Sequence, residues 1–294
     1  MLQTNKFGLI MLSLLASSCF AIIAPFSVAT ADAGLIPAYT VLFRYMVLII
    51  CATPFIYIYT RKYFKFTRSQ FWLIILQGIA GGILNLSYLG ALSYIPLSLA
   101  VIIFFTFPLI TLIVSPFIFG GRLTLYKIVV FICAFLGLLL VVGPELSTLN
   151  PIGILLALIG ALTAVTQLLC MSKLIKEVKP MALLYSVHII AMIFTVLIIS
   201  GFYFAGEIDL PPPITFDIGI NFMGVVLSYI LAFGLFSYVT RYLDPSTISL
   251  FSNIEPIVTI AVAILLFSEI LQINQAFGIS IVLVSLIAGS LAKS

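Results

Sequence analysis

Threaded through a bilayer as ten helices, this chain leaves twelve of its thirteen lysines and arginines on one side. Basic residues accumulate in the loops that stay inside, so so complete a segregation is expected only when both the number of spans and their register are right. The chain is 294 residues long, 63% hydrophobic and 7% charged, which lies far outside the composition of soluble domains.

A spanning helix needs about 20 mostly apolar residues. Such runs occur at Phe7 to Ala29, Pro37 to Tyr59, Gln70 to Leu92, Pro96 to Phe119 and Leu125 to Val142. A second set occurs at Ile152 to Met171, Met181 to Phe204, Ile218 to Thr240, Ser246 to Phe267 and Gln275 to Leu291. With Lys6 inside, the inner loops receive Arg61, Lys62, Lys65 and Arg68, then Arg122 and Lys127, then Lys173, Lys176 and Lys179, then Arg241 and Lys293. The outer loops receive Asp32, Glu145, Glu207, Asp209, Asp217 and Glu269 and no basic residue. Both termini are therefore predicted to be cytoplasmic. Lys6, the long first run and Ala29-Thr30-Ala31 together imitate a secretory signal. That run is as long as the other spans, however, and its removal would destroy the charge threading, so it is expected to be retained.

Several function classes are excluded by what the chain contains. Cys19, Cys51, Cys133 and Cys170 all sit inside apolar runs and read as small buried hydrophobes rather than disulfide partners. One histidine and scattered acids leave no metal-ligand spacing, and no phosphate-binding glycine loop of the Walker type occurs. No cofactor is called for. The net charge of +4 follows from the inner-loop bias and requires no nucleic-acid partner.

The chain also repeats itself. A shift of 148 positions lays Tyr94, Ser98, Pro108 and Thr111 on Tyr242, Ser246, Pro256 and Thr259, and a weaker match sets Phe7-Gly8-Leu9 beside Ile152-Gly153-Ile154. Halves at residues 1–148 and 149–294 then hold five helices each, and an odd number makes the two copies enter the membrane from opposite sides. The expected fold is an all-α polytopic membrane protein of ten transmembrane helices in two inverted five-helix repeats. Inverted repeats of this kind recur in secondary transporters, with the solute site near the midplane between the halves.

The stretch from Tyr242 to Gly289 has a small-residue helix start at Ser246 and Ser249, the pair Glu255-Pro256, Glu269 in a short turn, and Gly278 in the last helix. It resembles the EamA-type branch of the drug/metabolite transporter superfamily, as does YIPLSLAVIIFFTFPLI in the first half and Arg44 within LFRYMV. One departure is Gly120-Gly121-Arg122, which stands where the family usually carries an acid before Arg-Leu, at a helix end. The resemblance implies a central cavity between five-helix halves and transport or export of amino acids and related metabolites, in a plasma (inner) membrane of bacterial type.

Arg44 and Glu255 are the charges well inside predicted spans. At the bilayer centre each costs about 2.5 to 3.5 kcal/mol on insertion scales, so such groups normally face a cavity or a partner. Arg44 can also snorkel as an anchor, because it lies near the outer end of its helix. Glu255 directly precedes Pro256, which frees a backbone carbonyl and opens a polar break at membrane depth. Asn253 shares that region, Asn85 and Tyr88 are spaced to share a face of the third helix, and Gln167 and His188 complete the mid-helix polar set. These are the candidate substrate-binding residues, with interhelical hydrogen bonding as the alternative for each. Gly78 and Gly82 have small-xxx-small spacing for close packing, and Pro108 and Pro256 are candidate hinges.

The functional expectation is a secondary transporter of a small-molecule solute, an amino acid or a related zwitterion or amphiphile. Glu255 would balance a cationic group of the solute or carry a coupling proton. A nucleoside-like metabolite or drug-like cation is the alternative solute. An intramembrane enzyme lacks a supported nucleophile and base, and a channel lacks a filter-like segment.

Overall fold

In the computed structural model, residues 6–60, 63–143, 149–267 and 272–291 are described. The loop charges Arg61, Lys62, Glu145, Glu269 and Lys293 fall outside them. Among the described residues, twelve α-helices follow one another: α1 (Lys6–Asp32), α2 (Pro37–Phe55), α3 (Arg68–Ala91), α4 (Leu97–Phe104), α5 (Phe107–Phe119), α6 (Leu125–Val142), α7 (Pro151–Glu177), α8 (Pro180–Phe204), α9 (Phe216–Thr240), α10 (Pro245–Phe251), α11 (Glu255–Phe267) and α12 (Ile273–Leu291). No strand occurs among the described residues. Among the described residues, nine spans are long and apolar enough to cross a bilayer, with Leu97–Phe119 counted as one, so the chain is an integral, multi-pass membrane protein. The remaining apolar run is α10 and α11, separated by a 3-10 turn at Ser252–Ile254.

The helix ends follow local chemistry. Thr67 forms a reciprocal capping box with Gln70 at the start of α3, and Thr124, Thr215 and Asp244 each accept a backbone N–H in the first turn of α6, α9 and α10. Gly120 and Gly121, with φ of 74° and 118°, reverse the chain after α5 at the turn that lacks the family's acid. Two boundaries differ from expectation. The second run leaves α-helical geometry just after Pro54 and closes in a π-helical turn, Ile56–Thr60. The sixth does not stop at Met171 but continues to Glu177, because Leu174 and Ile175 keep an apolar stripe buried until Pro180 forces the stop. Among the cysteines, Cys19 and Cys170 are buried as expected, whereas Cys51 is exposed on the outside of α2.

The principal pairings set α1 along α9, α3 along α7 and α6 against α12. Glycines make several of these approaches. A Cβ on Gly78 would stand 2.6 Å from Ile190 Cβ and one on Gly82 2.5 Å from the Phe194 ring, so this face of α3 is packed directly on α8.

At Pro108 and Pro256 the helices are interrupted rather than merely bent. In each case the proline sits in the first turn of the second segment, where a missing N–H costs nothing, and the break lies before it. Thr106 donates to Ile103 O at 2.7 Å, while Ser249, Ser252 and Asn253 donate to Ser246 O, Ile248 O and Leu250 O at 2.9, 3.3 and 2.8 Å. Local side chains thus satisfy carbonyls that membrane hydrocarbon could not. The two broken runs cross: α5 packs on α10, while α4 turns to α7 and α11 to α1.

Side-chain hydrogen bonds tie the halves together at the lysine-rich end. They join Ser115 Oγ to Ser246 Oγ (2.6 Å), Thr53 Oγ1 to Tyr185 Oη (2.9 Å), Gln70 Nε2 to Glu177 Oε2 (3.1 Å) and Tyr126 Oη to Ala288 O (2.7 Å).

Candidate functional site

Arg44 turns inward from α2 and is only 6% exposed, so it does not snorkel. Its Nη2 donates to Asn85 Oδ1 at 2.6 Å, and its guanidinium lies 4.2 Å from the centre of the Tyr229 ring and 5.4 Å from that of Tyr45. Asn85 passes the polarity on: its amide donates to Gly81 O at 2.7 Å, one turn back on α3, and to Tyr45 Oη at 3.1 Å. His188 Nδ1 is 2.6 Å from Leu184 O. A carbonyl can only accept, so Nδ1 carries the proton, and in the neutral ring Nε2 accepts from Tyr229 Oη at 2.9 Å. The rings of Tyr45, His188, Tyr229 and Phe233 meet edge to face or tilted around this centre.

Beside this network, α3 presents Gly81, Asn85 and Tyr88 in successive turns. The Gln167 amide of α7 occupies the place where a side chain on Gly81 would lie. Tyr88 packs on Phe104 with ring centres 5.1 Å apart, and its Cβ borders Gly160. Glu255 is the first residue of α11, half-buried, and close enough to Tyr88 for the two to interact electrostatically. A helix N-terminus favours a carboxylate. Thr259 Oγ1 donates to the Glu255 carbonyl at 3.1 Å, while the carboxylate itself has no hydrogen bond among the described residues.

Of the seven residues singled out in the sequence, Arg44, Asn85 and His188 are joined through one network, and Gln167, Tyr88 and Glu255 are grouped around the same helix, α3. Asn253 differs, since its side chain is buried and spent on Leu250 O at the helix break. Tyr45 and Tyr229 are central to the network but were not singled out. Nothing in an aromatic-rich sequence separates them from the other tyrosines, although adjacency to Arg44 marked Tyr45. Among the described residues, no three His, Cys, Asp or Glu side chains gather as a metal ion would require.

The sequence profile of the EamA-like transporter family matches the chain twice, over residues 6–143 and again over 151–290. The chain belongs to the EamA-like transporter family. This EamA protein, a member of the drug/metabolite transporter superfamily, is therefore a transporter. It is 23% identical over 242 residues to an S-adenosylmethionine uptake transporter of Rickettsia prowazekii (strain Madrid E), an alignment covering 82% of this chain and 78% of that protein. A solved crystal structure superposes with a TM-score of 0.81 over 97% of this chain and 96% of the other, at 13% identity, a likeness of fold alone.

Proposed function

We propose that this EamA protein moves an amino-acid-like solute, zwitterionic or amphiphilic, across a bacterial-type inner membrane by alternating access between two inverted halves. Exchanging the halves converts the pairing of α1 with α9 into that of α7 with α3 and leaves α6 with α12 unchanged, which supports the inverted relationship. Pro108 and Pro256 then serve as the hinges of the rocking motion, at matching breaks.

The observation that carries the solute reading is Glu255. A carboxylate at membrane depth, half-buried at the start of a half-helix and lacking a hydrogen-bonding partner among the described residues, is costly unless a solute cation or a proton meets it. The S-adenosylmethionine carried by the Rickettsia relative is itself an amino acid with an added sulfonium, and it supplies a first probe. Solutes inside and outside cells making the wild-type protein are compared by mass spectrometry with those of cells making Glu255→Ala at equal membrane abundance. A shift confined to the wild type and to amino-acid derivatives is expected, and equal profiles would refute the role of Glu255. In proteoliposomes Glu255→Gln should abolish any dependence on a pH gradient; a folded variant that kept this dependence would remove the proton role.

A further inference from the structure

Arg44 is a buried cation with no ion-pair partner among the described residues. Its Nη2 is committed to Asn85, yet its Nε is enclosed without any acceptor. The faces of Tyr229 and Tyr45 soften the charge but offer its N–H groups no oxygen. An enclosed guanidinium is normally paired with an anion, and its planar fork suits a carboxylate held by two parallel hydrogen bonds.

We infer that Arg44 is the subsite for a carboxylate of the transported solute, with Tyr229 and His188 acting as positioning residues that hold the guanidinium in place. The inference rests on the amino-acid-like reading of the solute.

The positioning is directional. Leu184 O fixes the proton of His188 on Nδ1, so Nε2 must accept the Tyr229 hydroxyl hydrogen. That bond sets the Tyr229 ring, and the ring sets the plane of the guanidinium 4.2 Å away. Asn85 fixes the other edge and is itself pinned to Gly81 O and Tyr45. Four helices (α2, α3, α8 and α9) therefore converge on one cation that none of them neutralises.

The placement of Glu255 fits the same solute. Asn85, which touches Arg44, and Tyr88, which interacts with Glu255, are three residues apart on α3, a rise of about 4.5 Å along its axis. Glu255 and Arg44 thus offer charges of opposite sign, complementary to the ammonium and the carboxylate of a zwitterion.

The test uses the full-length protein in proteoliposomes and pairs of probes that differ only in the carboxylate: S-adenosylmethionine with its decarboxylated form, L-arginine with agmatine, and L-methionine with 3-(methylthio)propylamine. Wild type is expected to prefer the carboxylate member of a transported pair by roughly 10- to 100-fold in kcat/KM, the worth of a charge-assisted hydrogen bond. Arg44→Gln should bring that ratio close to one, and Arg44→Lys should raise KM for the carboxylate member alone. Tyr229→Leu should raise the same KM about tenfold and leave that of the amine unchanged, whereas Tyr229→Phe, which keeps the ring face but loses the hydroxyl that His188 holds, should recover only part of the loss. A general structural defect would lower kcat for both members of a pair. Transport with a ratio unaffected by Arg44→Gln or Tyr229→Leu overturns the subsite while leaving the amino-acid reading intact. A folded wild type that moves no carboxylate member overturns both.

Discussion

Replacing Gly278 by alanine tests the crossing of α6 and α12 directly. A Cβ at this position would stand 2.6 Å from Gly137 O and 2.7 Å from Val141 N, both backbone atoms of the facing helix. No side-chain rotation relieves such a contact, so the helices must separate. A separation also loosens the cluster that unites Val130, Ala134, Val141, Val282 and Leu286. Overpacking of this kind costs about 1 to 3 kcal/mol, and the backbone contact puts Gly278→Ala toward the upper part of that range. At about 2 to 4 °C per kcal/mol, purified protein in detergent should melt roughly 5 to 10 °C lower. The control is Gly201→Ala in α8, where the added Cβ meets nothing within 4 Å. Alanine in an open helical position is neutral or stabilising by up to about 1 kcal/mol. If Gly278→Ala melted with Gly201→Ala, the backbone approach of α6 and α12 would be wrong, and with it the reason for glycine at the crossing.

Two further outcomes follow from the packing. In a background lacking Cys19, Cys51, Cys133 and Cys170, Ser115→Cys with Ser246→Cys should crosslink readily, since the two hydroxyl oxygens are 2.6 Å apart. The crosslink should stop transport reversibly by holding the lysine-rich end shut, and full transport by the oxidised protein would refute that end as a gate. Asn253→Ala removes the side-chain donor to Leu250 O, which keeps the Ser252 N–H, and should cost about 0.5 to 1.5 kcal/mol in denaturant unfolding. Unchanged stability together with a lost solute response would instead return Asn253 to the binding site.

Much of the fold was legible because a bilayer imposes one-dimensional rules. Span length follows from membrane thickness, and the end of α6 at Val142 and the start of α2 at Pro37 were readable to the residue. Pro108 and Pro256 announced the breaks, but their exact positions depended on Thr106, Ser252 and Asn253 finding carbonyls in the preceding turn. The overrun of α7 to Glu177 was hidden because Lys173 and Lys176 read as loop charges, while Leu174 and Ile175 between them were packing against α8 and the 63–67 segment. In the site, Arg44, Glu255, Asn85, Gln167 and His188 could be picked out because each is costly in hydrocarbon. Tyr229 could not, because a tyrosine is as much at home in an aromatic core as in a polar network.

The sequence by itself determined that this chain crosses the membrane repeatedly, where its spans lie, which polar groups demand partners and to which family it belongs. All of these depend on transfer cost and periodicity, quantities that each segment carries alone. Only the tertiary structure decided which partners those groups meet: that Arg44 turns inward onto Tyr229 and Asn85, that His188 serves Tyr229, that Asn253 closes a helix end, and that Glu255 begins one. Those outcomes depend on the approach of helices distant in sequence, set by where glycines such as Gly78, Gly82, Gly137 and Gly278 let backbones come close.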